Sequence, residues 1–201
     1  MKLSGRGFPS ITCRAHTLAA DHPALIIIDM QRGMADPSAG RRNNPEAEEN
    51  IMTLLSAWRA AKFPVIHVRH LSSNSGSPFW PDQIGAEFQP QFLPTADEHI
   101  VEKSVPDAFI YTGLERWLRA RGAERLIIVG VSTNISVEST VRTASNLGFQ
   151  VIVVSDATFA FEKPDYAGVL RNAAEVHAMS LANLSGEFAA VARTSEILCT
   201  L

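Results

Sequence analysis

Three polar residues, Asp29, Lys103 and Ser136, each stand just beyond an apolar, strand-like run. Asp29 follows Ala24-Leu-Ile-Ile-Ile28, and Lys103 follows His99-Ile-Val-Glu102. Ser136 follows Arg125-Leu-Ile-Ile-Val129 through the turn Gly130-Val-Ser-Thr-Asn-Ile135. In open α/β sheets ligands bind outside the carboxyl ends of the strands. A carboxylate, an ammonium and a hydroxyl gathered there suit hydrolysis. The carboxylate moves protons, the ammonium holds it ionised or steadies developing charge, and a helix start offers amides to an oxyanion. Ser136 opens a helix-like stretch, the place of a nucleophile, but with a hydroxyl where such chemistry often uses a thiol. Taken singly, each residue also has a plainer reading: an Asp ending a strand caps it, and a Lys there is solvated.

The elements that must position these residues alternate along the chain. Ala24–Ile28 is a β-branched run suited to a strand buried on both faces. Pro45 opens a helix with Glu46, Glu48 and Glu49 in its first turn and an apolar stripe of Ile51, Leu54, Leu55 and Trp58. Phe63 to Val68 is a second strand, followed by a Ser-, Gly- and Pro-rich loop from Leu71 to Pro94, long enough to be a lid or pocket wall. His99 to Glu102 is a third strand. Thr112 is placed to cap a helix carrying Leu114, Trp117 and Leu118 that stops at Gly122. Leu126 to Val129 is a fourth strand, and a helix runs from Ser136 to a stop at Gly148. Phe149 to Val154 is a fifth strand, and Asp165 begins a helix through Val169, Leu170, Ala173 and Val176. Glu187 to Ala192 is a sixth strand, with a last turn at Ser195 to Leu198. Strands alternating with helices predict a mainly parallel sheet with helices on both faces, a three-layer α/β/α sandwich of Rossmann-like type.

With 201 residues the chain fits one domain that buries roughly 70% of its unfolded surface. Residues 1–22, mixed in Gly, Pro and Ser, read as an arm, and 23–201 as the domain. A net charge of -3 argues against nucleic acid or an anionic membrane as a partner and leaves a small molecule. No apolar run approaches the roughly 20 residues of a membrane span, and the amino-terminal stretch lacks the apolar core of a signal peptide. A cytoplasmic location is the expectation. Cys13 and Cys199 show no disulfide-rich pattern and no catalytic spacing.

Four stretches, ALIIIDMQ (24–31), EKSVPDAFIYTGLERWLRARG (102–122), GVSTNISVESTVRTASNLGF (130–149) and VSDATFAF (154–161), resemble in that order the isochorismatase-like (cysteine hydrolase) superfamily. The resemblance covers about Ala24 to Leu198. It implies a six-stranded sheet of order 3-2-1-4-5-6, a homodimer or homotetramer, and an Asp–Lys–Cys triad that hydrolyses amides or related C–N bonds. By motif position Asp29 corresponds to the Asp, Lys103 to the Lys and Ser136 to the nucleophilic Cys. It further implies a non-proline cis peptide before the nucleophile, here Val131–Ser132, with backbone amides from there to Ser136 forming an oxyanion hole.

Ser136 is the departure from that pattern. A free thiol ionises near a pKa of about 8.5. A hydroxyl is far less acidic and normally needs a histidine-type base, which an Asp of ordinary pKa does not replace. Three explanations stand open: a replacement made to trap a ligand, a natural loss of the thiol in a branch that does acid-catalysed chemistry or only binds, or a weak genuine nucleophile. In the isochorismatases proper, which also lack the Cys, the Asp is thought to protonate a vinyl ether. His67 and His70 end the second strand and are read as packing or substrate-bonding groups. The nicotinamidase branch carries an Asp-x-His metal motif after the second strand, whereas HVRHLSSNSGSPFW lacks it, so neither a metal nor another cofactor is expected. Candidate substrate contacts are Gln31, Trp80, Phe109 and Phe159, with Phe79 and Phe161 nearby. Core packing explains Phe109 and Phe159 equally well, and Gln31 equally suits a surface role or orienting Asp29. The Arg41–Arg42 patch, able to receive a carboxylate, reads more safely as solvated charge.

Overall fold

The computed structural model describes residues 22–201, so the amino-terminal arm and Cys13 lie outside the described residues. Its sheet is built from β1 (Ala24–Ile28), β2 (Val65–His70), β3 (His99–Lys103), β4 (Arg125–Val131), β5 (Gln150–Phe159) and β8 (Ala190–Ala192); β6 (Lys163–Pro164) and β7 (Leu170–Arg171) form a separate small hairpin. The six-stranded sheet has the order β3-β2-β1-β4-β5-β8, and all its pairs are parallel. This is the expected order, with β8 as the sixth strand. The order of consecutive strands reverses between β1 and β4, which leaves a crevice beyond their carboxyl ends.

Strand β1 shows why the sheet needs helices on both sides. Its residues are all buried, and alternate side chains serve two cores. Ala24, Ile26 and Ile28 join a cluster with Leu114 and Leu118 of α2 (Leu114–Ala120), Val141 of α3 (Glu138–Asn146) and Leu184 of α4 (Ala173–Leu184). Leu25 and Ile27 join the opposite cluster, with Ile51, Leu54, Leu55 and Trp58 of α1 (Ala47–Ala61) and Ile197 of α5 (Thr194–Leu198). Where β1 and β4 meet, Ile28 pairs with Gly130, and a Cβ at Gly130 would run into the Ile28 backbone. The strand ends can approach this closely only with glycine there.

Four local features differ from the sequence reading. Asp165 does not start a helix: its carboxylate accepts from the amides of Ala167 (2.9 Å) and Val169 (3.0 Å) and so closes the β6–β7 turn. An Asp that can capture backbone amides a few residues ahead favours such a turn over a helix. Helix α4 begins after Asn172, which forms a capping box with Glu175. The α2 N-cap position is Gly113, one residue past Thr112, whose hydroxyl still accepts from the Leu114 amide at 3.3 Å while donating to the Ala108 carbonyl at 2.7 Å. Strand β5 continues to Phe159, because after Ile128↔Val153 the ladder resumes at Gly130↔Thr158 and lets the intervening segment bulge. Among the described residues no helix is long and apolar enough to cross a membrane.

Candidate active site

Asp29 sits where β1 ends, in a left-handed conformation (φ 51°) that Asp tolerates better than most residues. Its amide still donates to the Val68 carbonyl at 2.9 Å, while its own carbonyl accepts from Gln31 at 2.7 Å. The chain therefore turns within two residues, and the carboxylate is left over the sheet edge. Lys103 is the last residue of β3, in register with His70 of β2. Ser136 lies in a π-helical turn, Thr133–Val137, that precedes α3, whereas sequence periodicity predicts a plain helix start. The Ser132 carbonyl accepts from both Ile135 (3.1 Å) and Val137 (3.2 Å), a wide turn of the kind often found at functional sites. The Val131–Ser132 peptide bond is cis.

These elements bring the three side chains together out of solvent. Lys103 Nζ donates to Asp29 Oδ2 at 2.8 Å and to Ser136 Oγ at 3.3 Å. Asp29 is 1% exposed, Lys103 3% and Ser136 7%, so the serine is the most accessible of the three. Asp29 Oδ1 has no hydrogen-bond partner among the described residues. Burial pushes the Asp29 carboxyl above the usual carboxylate range, even though the Lys103 cation and the Ser136 hydroxyl pull the other way. The group is thus a stronger base than an exposed aspartate.

The expected substrate contacts fare differently. Gln31 is fully buried and its amide is spent on backbone: it donates to the carbonyls of His70 (2.9 Å) and Ala86 (2.8 Å) and accepts from the His70 amide (2.8 Å). It is a strut between β1, β2 and the long loop, with both amide hydrogens spent on backbone carbonyls and none left to donate to a ligand. Phe109 packs on Phe149 inside the α2–α3 core, at 6.0 Å between ring centroids. Phe159 is fully buried between Arg42, whose guanidinium lies 4.2 Å from the ring centroid, and Phe161. Both rings are core side chains. Trp80 is exposed, and it is its neighbour Phe79 that turns inward, edge-on to His70 at 6.2 Å. Arg42 is committed to Glu48 at 2.5 Å and to Phe159, so it is not held in reserve for a substrate carboxylate.

Sequence reasoning missed the group that braces the Ser136 turn from behind. Thr133 Oγ1 lies 2.8 Å from His177 Nδ1 on α4, and Ser180 Oγ lies 2.9 Å from the Thr133 carbonyl and 2.7 Å from Glu138 Oε2. Asn44 donates to the carbonyls of Ser155 (2.8 Å) and Thr158 (2.7 Å), which ties in the β5 bulge. Polar residues on the inward face of α4 were the available signal, since His177 and Ser180 are three apart on one helix. Among the described residues no group of three or more His, Cys, Asp or Glu is disposed to hold a metal ion.

An isochorismatase domain model matches residues 23–196. An isochorismatase-family protein of solved structure from Chromobacterium violaceum ATCC 12472 is 45% identical, with a TM-score of 0.87, covering 99% of this chain and 98% of that one. The isochorismatase-family protein YrdC of Bacillus subtilis (strain 168) is 38% identical over 175 residues, 87% of this chain and 94% of that protein. Nicotinamidase 3 of Arabidopsis thaliana is 30% identical over 184 residues, 83% of this chain and 82% of that protein.

Proposed function

The chain belongs to the isochorismatase family, and from that premise we propose that it hydrolyses a small metabolite at a carboxamide or related C–N bond, without a metal, through Asp29, Lys103 and Ser136. One observation carries this reading: a single buried ammonium bridges the carboxylate and the hydroxyl, at 2.8 and 3.3 Å. The similarity to Nicotinamidase 3 supports an amide as the bond attacked.

In this mechanism the Asp29 carboxylate takes the Ser136 proton as Oγ attacks the carbonyl carbon. Backbone amides at the start of the π-turn and α3 receive the developing oxyanion. Asp29 then returns the proton to the departing nitrogen, and the C–N bond breaks to leave an acyl-serine. Asp29 next deprotonates a water that attacks the acyl carbon, and gives that proton back to Oγ as the acid leaves. Lys103 keeps the carboxylate oriented and ionised and donates to Oγ while charge builds there. A carboxyl held above its usual range is better matched to this proton traffic than an ordinary Asp.

The same elevated carboxyl favours a second reading, in which protonated Asp29 opens an isochorismate-type vinyl ether and Ser136 only contacts substrate. Substitutions separate the two when amides, ureido acids and isochorismate are screened. Ser136→Ala abolishes turnover in the first mechanism and spares it in the second, while Asp29→Asn abolishes both. As pH rises through the Asp29 pKa, above 3.8, kcat/KM increases if Asp29 is the base and decreases if it is the acid. Ser136→Cys tests for a disabled thiol enzyme. No turnover by either the Ser136 protein or Ser136→Cys sinks the hydrolase reading and leaves a catalytically silent binding protein. We also propose a homodimer or homotetramer as the working assembly, which light scattering of the purified chain reads directly.

A further inference from the structure

The histidine that ends β2 is held in the site by three separate constraints. His70 is in register with Lys103, and register partners of a parallel pair project to the same face from strands about 4.8 Å apart. Its imidazole therefore stands beside the Lys103 side chain. The neighbouring partners Arg69 and Glu102 project to the other face, where they pair with each other. Phe79 closes the far side of the ring edge-on at 6.2 Å, and is itself seated over Gly33, where a Cβ would strike the Phe79 ring. Gln31 fixes the backbone by accepting from the His70 amide at 2.8 Å and donating to its carbonyl at 2.9 Å, as a neighbouring strand would.

Despite this anchoring, neither ring nitrogen of His70 has a hydrogen-bond partner among the described residues. The more deeply buried histidines differ: His67 Nε2 meets Glu98 at 3.0 Å and His177 Nδ1 meets Thr133 at 2.8 Å. The His70 ring is half-buried, and the charged groups that act on it are Lys103 from β3 and Asp29 beyond β1. An imidazole positioned this firmly, with its polar atoms idle beside the reacting groups, is placed for a ligand.

We propose that His70 is a substrate-contacting residue whose imidazole hydrogen-bonds an uncharged polar group of the substrate, such as a carboxamide, and that Gln31 is its positioning residue. Burial and the Lys103 cation hold the ring below the usual histidine range, so at neutral pH it is uncharged and offers one donor and one acceptor. A carboxamide carries the matching pair. The free Asp29 Oδ1 adds a second acceptor for an amide N–H. The inference rests on the hydrolase reading for where the reaction occurs, but the contact itself needs no turnover.

The test uses the full chain labelled with 15N-histidine and titrated with benzamide as the probe. The expected result is a saturable shift of the His70 ring nitrogens, identified by their absence in His70→Gln, with no shift of His99, whose ring is stacked on Trp117 at 4.4 Å. His70→Phe, which keeps the packing on Phe79 but not the polar atoms, weakens benzamide binding about tenfold; His70→Gln, which keeps a donor and an acceptor, stays within about threefold. Gln31→Met reproduces part of the loss. Benzamide that binds while the His70 ring stays unshifted, or that binds His70→Phe as well as the unsubstituted chain, overturns the proposal and leaves His70 as packing. Absence of benzamide binding to the unsubstituted chain overturns it too. Failure of the hydrolase reading shows instead as absence of turnover, so the two fail in separate measurements.

Discussion

Two carboxylates stand at strand ends of this sheet, Glu98 before β3 and Asp29 after β1, each bonded to a cation and close to a third polar side chain, yet their carboxyl groups are shifted in opposite directions. Glu98, just before β3, accepts from Arg59 Nε (2.7 Å) and Nη2 (2.8 Å) and from the Thr95 amide (2.9 Å), and meets His67 at 3.0 Å. These partners outweigh its burial and hold its carboxyl down at about 2. Asp29 has one short bond from Lys103 and one oxygen with no partner among the described residues, and burial dominates, so its carboxyl is pushed up. The difference shows how to tell structure from chemistry at a buried charge. A carboxylate with its lone pairs satisfied holds elements together, here α1, β2 and the loop before β3. One with an idle oxygen beside a hydroxyl has the capacity to take up a proton.

Substitution at the two carboxylates probes that contrast most strongly through catalysis. Asp29→Asn, chosen because Asn also tolerates positive φ, is expected to lower kcat by about 10²–10⁴-fold in steady-state assays of whichever substrate the screen identifies. Glu98→Gln should leave kcat within about threefold, since it removes no group beside the serine. A larger kcat loss at Glu98 than at Asp29 would reverse the assignment. On stability the order inverts: Glu98→Gln weakens a bidentate Arg59 pair and is expected to cost about 1–3 kcal/mol in urea unfolding, discounted toward the lower end because the Arg59 side chain is 35% exposed.

The pH dependence of stability sharpens the contrast in sign. Glu98 has a folded pKa of about 2 against an unfolded value of 4.5, so its contribution is complete above 4.5 and is lost as pH falls toward 2. Asp29 is shifted the other way. Its folded state holds the proton more tightly, so it favours folding at low pH and loses that contribution as pH rises from 3.8 through its elevated folded pKa. Urea midpoints measured across the acid range should therefore flatten below 4.5 in Glu98→Gln and lose the decline above 3.8 in Asp29→Asn. The smallest expected effect is behind the Ser136 turn. Ser180→Ala removes one buried hydroxyl and should lower stability by about 1 kcal/mol, read as a small fall in the urea midpoint.

Much of the scaffold was legible because it is periodic. The β-branched runs of β1 and β4 and the apolar stripe of α1 report burial directly, and the residues that end those runs mark the sheet edge. Individual site roles were less legible for identifiable reasons. Gln31 and Trp80 have the chemistry of ligand contacts, but both Gln31 amide hydrogens go to the His70 and Ala86 carbonyls, and Phe79 rather than Trp80 faces inward. Phe109 and Phe159 sit within motifs, yet their rings fill the two cores. The π-turn at Thr133–Val137 has no periodic signature, because it is one wide turn fused to an ordinary helix. Asp165 was misread because the helical spacing downstream of it is interrupted by a turn that its own carboxylate builds.

By itself the sequence determined the alternation of strands and helices, the sheet edge at which Asp29, Lys103 and Ser136 end their runs, and the family those motifs resemble. These are local properties, set by side-chain type and spacing along the chain. Only the tertiary structure decided which carboxylate is satisfied and which is left basic, that Gln31 serves His70, and that the His70 ring stands free beside Lys103. Those depend on partners brought from distant positions and on exclusion from water. Hydrogen-bond saturation and desolvation act between strands, and no spacing along one strand encodes them.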